Sequence, residues 1–229
     1  MQNTSHAVMA QRNEAKGSLD DFPTPPWATR ALVEHVLTSK SALRDYTCLE
    51  PACGRGHMAV ALAPFFKGVA ATDIFDYSFG RESDFLKENH APSSVDWVIT
   101  NPPFRLAEEF IGKSLKIARH GVAMLTRTVF LESVGRYERL FKSTPPTRFA
   151  QFTERVPMVK GRVDKKASTA TGYGWLVWEK DKLGQPPQLI WIPSCRKALE
   201  RPDDYVQAPR MPNLIPADVI PMRPDLFAR

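Results

Sequence analysis

The residues with the clearest chemical potential form a tetrad, Asn101, Pro102, Pro103 and Phe104, which directly follows the apolar run Val95–Thr100. Proline fixes φ and has no backbone N–H, so the side-chain oxygen of Asn101 and the carbonyl oxygen of Pro102 are left as two acceptors on one small patch. They suit the two hydrogens of a planar NH2 group, with the ring of Phe104 as a stacking face beside it. Such a patch can position an amino nitrogen for in-line attack on a sulfonium methyl group. The alternative interpretation is an ordinary Pro-Pro loop after a strand.

A second group of residues forms a glycine-containing turn between an apolar run and a helical pattern. The turn consists of Glu50, Pro51, Ala52, Cys53, Gly54, Arg55 and Gly56. Its two glycines allow the backbone to turn sharply and to approach a ligand closely. It lacks the third glycine of a dinucleotide phosphate turn, and the carboxylate of Glu50 would repel a pyrophosphate. That carboxylate suits a cationic, amino-acid-like ligand, although a simple tight turn is also possible.

Two acidic residues follow later in the chain. Asp73 lies 23 residues after Glu50, which is the distance at which an acidic side chain can hold ribose hydroxyls. A helix N-cap explains Asp73 equally well. Asp84 can accept a hydrogen bond from an adenine amino group, with Phe85 against the ring. Taken alone, Asp84 and Phe85 are better explained as a turn residue beside a core aromatic.

Taken in this order, the motifs resemble those of amino-methyltransferases that use S-adenosylmethionine (SAM). The segment Phe-Pro-Thr-Pro-Pro at 22–26 resembles the motif that precedes the first strand in the gamma-class order of DNA adenine-N6 methyltransferases, and the resemblance covers roughly residues 21–180. It implies that the tetrad is catalytic. It also implies that SAM is bound by Thr24, Pro25, Glu50, Pro51, Ala52, Cys53, Gly54, Gly56, Asp73, Ile74, Asp84, Phe85 and Asn101.

Short apolar runs alternate with helical patterns along the chain. Strands are expected at 46–49, 68–72, 84–86, 95–100, 122–125, 149–156 and 175–178, with an extra edge strand at 189–192. The first helix is expected at 25–39, with Thr24 as its cap and Pro25 and Pro26 in its first positions, and further helices are expected at 56–62, 107–118 and 134–141. Alternation of this kind predicts an α/β fold with a mainly parallel sheet and helices on both faces. The resemblance implies a Rossmann-like, seven-stranded class I methyltransferase sheet whose reversed last strand is the run at 173–178.

The length of 229 residues suits one domain of ordinary size. We expect a flexible N-terminal arm at 1–18, a catalytic domain at 19–192 and a C-terminal tail at 193–229, which holds seven of the 20 prolines. No apolar run is long enough to span a bilayer, and residues 1–19 lack the apolar centre of a secretory signal. We therefore expect a cytoplasmic protein without membrane partners. The three cysteines have no metal-ligand spacing, so they are interpreted as reduced thiols and no metal is expected.

The net charge of +6 favours a polyanionic partner. A basic loop lies at 157–171 and carries Lys160, Arg162, Lys165 and Lys166. It is expected either to follow a phosphate backbone or to be a solvated surface loop. With Phe104 as a stacking residue, a target base would be flipped into the pocket. The chain has no space for a target-recognition domain, so specificity would come from short loops, from a homodimer or from a separate partner.

The substrate favoured by these features is the N6 amino group of adenine in DNA. Enzymes that methylate glutamine side chains in proteins or guanine N2 in RNA share the tetrad, so they remain alternatives. A non-catalytic protein of the same fold that binds nucleic acid is a third possibility. The tetrad defines the kind of nitrogen better than the macromolecule that carries it.

Overall fold

The computed structural model describes residues 20–37, 40–207, 209 and 215–216, so the expected N-terminal arm lies outside the described residues. Within them the chain forms one eight-stranded sheet with the order β3-β2-β1-β4-β5-β7-β6-β8. The strands are β1 (Thr47–Glu50), β2 (Gly68–Asp73), β3 (Arg81–Glu82), β4 (Val95–Thr100), β5 (Ala118–Arg127), β6 (Arg148–Phe152), β7 (Tyr173–Glu179) and β8 (Gln188–Ile192). The helices are α1 (Pro26–His35), α2 (His57–Leu62), α3 (Ala107–Ile117), α4 (Val134–Arg136), which continues as a π-helical turn (Tyr137–Phe141), and α5 (Arg196–Leu199).

The central strands are parallel and the seventh is reversed. β1 pairs in parallel with β2 and β4, and β4 pairs in parallel with β5. β7 is inserted between β5 and β6 and is antiparallel to both. The predicted mainly parallel sheet with a reversed strand near 175–178 is therefore confirmed. The run at 189–192 forms the expected edge strand, which is β8 and pairs in parallel with β6.

Hydrophobic cores lie on both faces of the sheet. Neighbouring residues of a strand point to opposite faces, and in β1 Cys48 packs into one core while Leu49 packs into the other. The first core contains residues of α1 and α2, and the second contains Phe110 and Ile111 of α3. All residues of β4 and β7 are buried. Strands covered on both faces are continuously apolar, which is why these two runs were recognisable from sequence.

The third strand is the clearest error of the sequence prediction. The run at 84–86 was expected to be a strand, but the strand in that position is β3, two residues long. The carboxylate of Asp84 accepts a hydrogen bond from the N–H of Leu86 at 3.1 Å, and its carbonyl oxygen accepts from the N–H of Lys87 at 2.9 Å. These local bonds form a turn instead of a ladder. The remaining predicted strands and helices are present, with ends shifted by at most four residues.

Helix α1 also differs from its prediction. It begins at Pro26 and ends at His35, whereas 25–39 was expected, and residues 38 and 39 lie outside the described part of the chain. Thr24 was expected to cap this helix, but Pro25 occupies the N-cap position and the Thr24 hydroxyl has no hydrogen-bond partner among the described residues. The two prolines carry no N–H, so the start of this helix offers little for a hydroxyl to cap.

The segment that follows β8 packs against α1. It contains α5 and a short 3-10 turn (Pro202–Tyr205). The carboxylate of Asp204 pairs with the guanidinium of Arg30 at 2.6 Å, and both side chains are buried. Arg30 also donates to the carbonyl oxygen of Leu199 at 2.8 Å. Across the described residues, the structure has no helix with the length and apolar character needed to cross a membrane.

The turn between β1 and α2 depends on glycine. Gly54 and Gly56 both have left-handed backbone angles, with φ of +50° and +88°, which cost little for glycine and much more for residues with a Cβ. A Cβ atom at Gly56 would lie 2.3 Å from the ring of Phe79. The sequence at this turn is therefore constrained by both the backbone and the aromatic ring that packs on it.

We expect Gly56→Ala to lower the free energy of unfolding by about 1–3 kcal/mol, because it adds a strained φ and a clash with Phe79. Gly112→Ala is the matched control: Gly112 lies in α3 and a Cβ there meets no atom within 4 Å. Alanine is favoured over glycine inside a helix by roughly 0.5–1 kcal/mol, so this variant should be more stable. Urea unfolding followed by circular dichroism measures both, and equal effects of the two substitutions would contradict this account.

Candidate functional site

The largest set of predicted site residues lines one cleft at the carboxyl ends of β1, β2 and β4, covered by the segment 20–24. This strand-end cleft contains about 830 Å³ of space, including solvent at its mouth, a size typical of sites for cofactors and small molecules. The predicted cofactor residues that line it are Thr24, Glu50, Pro51, Ala52, Cys53, Gly54, Asp73, Ile74, Asp84, Phe85 and Asn101. Pro25 and Gly56 do not line it: Pro25 precedes α1, and Gly56 is covered by Phe79.

Several polar atoms of the cleft are buried and unpaired. The hydroxyl oxygen of Thr24, Oε2 of Glu50 and Oδ1 of Asn101 have no hydrogen-bond partner among the described residues. Nearly all buried polar groups in folded proteins find a partner, so each exception needs an explanation. All three oxygens are acceptors in one cleft, which indicates a ligand that brings hydrogen-bond donors or positive charge.

The carboxylates of the cleft reinforce this preference. Burial raises the pKa of Glu50 well above its usual value, and the nearby charge of Asp73 adds to the effect. Burial also raises the pKa of Asp73. Asp20, Asp21 and Asp84 line the same cleft. A buried carboxylate is stabilised in its charged form by a cation, so a positively charged ligand would offset the cost of burying these groups.

Asp73 is held in place by the glycine turn. Its Oδ2 accepts from the N–H of Gly54 at 2.8 Å, and its Oδ1 accepts from the N–H of Phe75 at 3.0 Å. A carboxylate has about four lone-pair sites, so each oxygen can still accept from a ligand hydroxyl. Phe85 is buried and packs on Phe110, with 4.9 Å between the ring centroids. Phe85 and its neighbour Asp84 both line the cleft.

The tetrad is fixed by the N-terminal segment that crosses it. The amide nitrogen of Asn101 donates to the carbonyl oxygen of Phe22 at 3.1 Å. Asn101 lines the cleft, and its amide oxygen is buried without a hydrogen-bond partner among the described residues. The backbone N–H of Phe104 donates to the carboxylate of Asp20 at 2.7 Å. The rings of Phe22 and Phe104 lie 5.6 Å apart. The tetrad is thus held by a segment that lies far earlier in the chain, since Phe22 precedes Asn101 by 79 residues.

Sequence reasoning missed several residues of the cleft. They are Asp20, Asp21, Phe22, Pro23, Arg55, His57, Met58, Tyr77, Ser83, Leu86, Leu106 and Phe110. The carboxylate of Asp21 pairs with Arg55 at 3.0 Å, and the guanidinium of Arg55 lies 5.3 Å from the centroid of the Tyr77 ring. Burial raises the pKa of Tyr77 to about 12, so its hydroxyl remains a donor. Asp20 and Asp21 could have been predicted as cleft residues, because they directly precede the motif at 22–26, which was recognised.

A second cavity lies beside the tetrad. We call it the arginine cavity; it contains about 480 Å³ of space. It is lined by Pro102, Phe104, Ala107, Leu125, Thr126, Arg127, Val129, Phe130 and Arg136. Asn101 and Pro103 face the strand-end cleft, whereas Pro102 and Phe104 face the arginine cavity. The tetrad is therefore the wall between two spaces of different composition.

The predicted basic loop lies near the cleft without lining either cavity. The N–H of Gly161 donates to the carbonyl oxygen of Asp21 at 2.8 Å, which attaches the loop to the rim of the cleft. Arg162 pairs with Asp164 at 3.3 Å, and Lys165 pairs with Glu200 at 3.5 Å. The side chains of Lys160, Arg162, Lys165 and Lys166 are exposed. Part of the positive charge counted in the sequence is thus compensated locally.

No family model matches the chain, and no curated protein matches it. Several solved structures share its fold. A methyltransferase subunit of a type I restriction-modification system from Streptococcus thermophilus has a TM-score of 0.57 at 10% identity, with 87% of this chain and 51% of that chain covered. A candidate RNA methyltransferase from Pyrococcus horikoshii has a TM-score of 0.54 at 18% identity, with 73% of this chain and 90% of that chain covered. A modification subunit of a candidate type I restriction enzyme from Vibrio vulnificus has a TM-score of 0.53 at 14% identity, with 75% of this chain and 47% of that chain covered.

These likenesses concern the fold. The chain has the Rossmann-like fold of class I methyltransferases, as predicted, with β8 added at the edge of the seven-stranded arrangement. It spans about half the length of the two restriction subunits and nearly all of the Pyrococcus protein.

The raised pKa of Glu50 has a consequence for stability. In the unfolded chain this carboxyl ionises at its ordinary pKa of about 4.3, whereas in the folded protein it holds its proton to higher pH. The resulting stabilisation is present at low pH and is lost as the pH rises from the ordinary value through the raised one. At neutral pH the buried, ionisable carboxyl therefore makes the ligand-free protein less stable.

We expect Glu50→Gln to raise the melting temperature of the ligand-free protein at pH 8, with the difference from wild type vanishing near pH 4. Glutamine has nearly the same shape but no charge to bury. Glu109→Gln, at an exposed position of α3, is the control and should change the melting temperature little at either pH. Melting curves measured across this pH range test the idea, which fails if Glu50→Gln destabilises the protein at pH 8.

Proposed function

We propose that the chain is a SAM-dependent methyltransferase that transfers a methyl group to the N6 amino group of adenine in DNA. The observation that carries the proposal is the hydrogen bonding of Asn101, which lines the strand-end cleft: its buried amide oxygen has no partner among the described residues, while its amide nitrogen is held by Phe22. An acceptor fixed in this way is suited to bind one hydrogen of an amino group beside a cofactor in the same cleft.

The residues of the strand-end cleft fit SAM. The ligand carries an ammonium and a sulfonium group, and the cleft offers the unpaired oxygens of Glu50 and Thr24 among several carboxylates. Asp73, fixed by Gly54, has acceptor capacity left for the ribose hydroxyls. Asp84 and Phe85 would hold the adenine. When bound, SAM supplies an electrophilic methyl group on sulfur.

The tetrad then acts on the methyl acceptor. Oδ1 of Asn101 and the carbonyl oxygen of Pro102 would accept the two hydrogens of the amino group, which leaves the nitrogen lone pair available for in-line attack. The new N–C bond replaces the C–S bond of the methyl donor, which leaves as a neutral thioether, and the nitrogen loses one of its protons to solvent. Phe104 stacks on the base. Asp20 and Phe22 act as positioning residues, because they hold the backbone of Phe104 and the amide of Asn101. Catalysis of this kind depends on orientation and fixed dipoles.

Nucleic acid is the favoured carrier of the amino group. The net charge of +6 and the arginines beside the tetrad support it. Two proteins of the same fold are named as modification or methyltransferase subunits of type I restriction systems, and a third as a candidate RNA methyltransferase. Specificity for a target sequence would be supplied by the short loops around the two cavities or by a separate partner.

We expect Glu50→Gln to weaken SAM binding at least tenfold at pH 8, because it removes the buried charge that pairs with the cationic ligand. In the wild type, affinity for SAM should rise with pH, since Glu50 must lose its proton before it can form this pair; the variant should show a flatter dependence. Isothermal titration calorimetry measures both, with Glu109→Gln as the control. Unchanged SAM affinity in Glu50→Gln would contradict the assignment of this cleft.

We expect Asn101→Ala to reduce methyl transfer at least 100-fold while SAM binding changes little, since the lost acceptor contacts the substrate amino group. The assay follows labelled methyl from SAM into duplex DNA, single-stranded DNA, RNA and cell-extract protein, and identifies the product by mass spectrometry. Asn89→Ala is the matched control, because Asn89 is exposed and lines neither the cleft nor the arginine cavity.

Recovery of N6-methyladenine from DNA, lost in Asn101→Ala, is the expected result. Label found only in protein glutamine or in RNA guanine would retain the chemistry of the tetrad and overturn the proposed substrate. Absence of both SAM binding and methyl transfer would support a non-catalytic protein of this fold.

A further inference from the structure

The two sides of the tetrad carry opposite charge. The strand-end cleft is lined by five carboxylates and one guanidinium group, that of Arg55, whereas the described lining of the arginine cavity contains two guanidinium groups and no carboxylate. A cationic ligand is therefore favoured on the side of Asn101, and an anionic ligand on the side of Phe104. This separation has a direct bearing on how a substrate approaches the tetrad.

Arg127 covers the ring on which a target base would stack. Its guanidinium carbon lies 3.9 Å from the centroid of the Phe104 ring. No other interaction holds the guanidinium: the Nε atom is buried without a hydrogen-bond partner, and the side chain forms no ion pair with any residue that the structure describes. A half-buried cation held only by an aromatic face is ready to exchange that contact for a stronger one.

Arg136, on the opposite side of the same cavity, differs in being anchored. It lies over the ring of Phe130 at 3.9 Å, donates to the carbonyl oxygen of Phe130 and approaches Glu108 at 4.0 Å. Its positive charge is thus fixed at the cavity wall. A single anionic group entering the cavity would meet one fixed guanidinium and one that is free to reorient.

Exposed apolar side chains lie on the segments that carry residues of the cavity, and we call them the rim. Val129 lines the cavity and exposes 56% of its surface, while Val134 and Tyr137, which flank Arg136 in the sequence, expose 84% and 52%. Surfaces that bind single nucleic-acid strands combine positive charge with aromatic and apolar faces for the bases. The composition of this rim is consistent with a strand that enters from solvent toward Phe104.

We propose that Arg127 is a phosphate-binding and gating residue for the target nucleotide, an inference that rests on the proposed function. In the ligand-free protein Arg127 covers the ring of Phe104. When a nucleic-acid strand enters the arginine cavity, the guanidinium of Arg127 turns to a phosphate of the strand. The ring of Phe104 then becomes available to the target base. Charge-assisted contacts with phosphate are stronger than a contact with an aromatic face, so a phosphate is sufficient to draw the guanidinium from the ring, and a base on the same strand can then stack there.

The test measures binding of short fluorescent DNA strands by anisotropy over a range of salt concentrations. One strand carries bases and a second of equal length is abasic. We expect Arg127→Met, which keeps an unbranched apolar stem of similar length, to bind both strands about tenfold more weakly and to lower the salt slope by about 0.7, the value for one lost phosphate contact with a single strand. Phe104→Leu should weaken binding of the base-bearing strand only.

Two further variants make the result interpretable. Arg44→Met removes a charge from an exposed position just before β1, at the opposite end of the sheet, and should leave affinity and slope unchanged. Arg127→Lys restores the charge without the planar guanidinium and should recover the salt slope. Circular dichroism and melting curves verify that each variant is folded.

The inference is overturned if Arg127→Met matches Arg44→Met in affinity and slope, or if the wild type binds neither strand. Because binding is measured without methyl transfer, its outcome is separate from that of the proposed function. Arg127-dependent binding by a protein that methylates no nucleic acid would support the phosphate site and contradict adenine methylation. Methylation of adenine in DNA by a protein whose DNA binding does not depend on Arg127 would support the proposed function and contradict the phosphate site.

Discussion

The parallel pairing of β1 with β2 and β4 is the constraint on which the site depends. The register places Glu50 opposite Ala71 and Leu49 opposite Val98, so the residues that follow the three strands emerge at one edge of the sheet. Glu50, Asp73 and Asn101 come from distant parts of the sequence and meet there. The hydrogen bond from Gly54 to Asp73 then joins two of these strand ends directly. Without the ladder, none of these polar groups would share a cavity.

The same edge separates charge over a short distance. Successive residues of the tetrad face alternately into a carboxylate-lined cleft and an arginine-lined cavity. The prolines make this possible, since they hold the chain extended without N–H groups that would need partners in either space. The proposed reaction brings together a cationic methyl donor and a polyanionic acceptor, and two adjoining environments of opposite charge suit such a pair. The tetrad is both the boundary between them and the place where the reacting groups would meet.

Much of the fold and part of the site could be predicted from sequence because the signals were local. Buried parallel strands are apolar along their length, and Glu50, Asp73 and Asn101 each follow such a run. The turn at Asp84 was wrongly predicted to be a strand because Phe85 is apolar. The local hydrogen bonds that Asp84 accepts, which replace those of a β-ladder, cannot be recognised from the sequence. The contacts of Asp20 and Phe22 with the tetrad, and the position of Arg127 over Phe104, depend on packing between distant segments. The pairing of Lys165 with Glu200 was hidden for the same reason.

The buried pair of Arg30 and Asp204 joins α1 to a turn 174 residues later. A fragment that ended after β8 would keep every strand and the residues of both cavities. It would lack Asp204 and Leu199, which are both hydrogen-bond partners of the Arg30 guanidinium; even the loss of one partner of a buried pair in an intact fold costs about 3–5 kcal/mol. That is a large share of the roughly 5–15 kcal/mol by which a domain is stable. We therefore expect the smallest fragment that folds independently to extend beyond the sheet, and shortened or circularly permuted forms of the protein to require residues up to Val206.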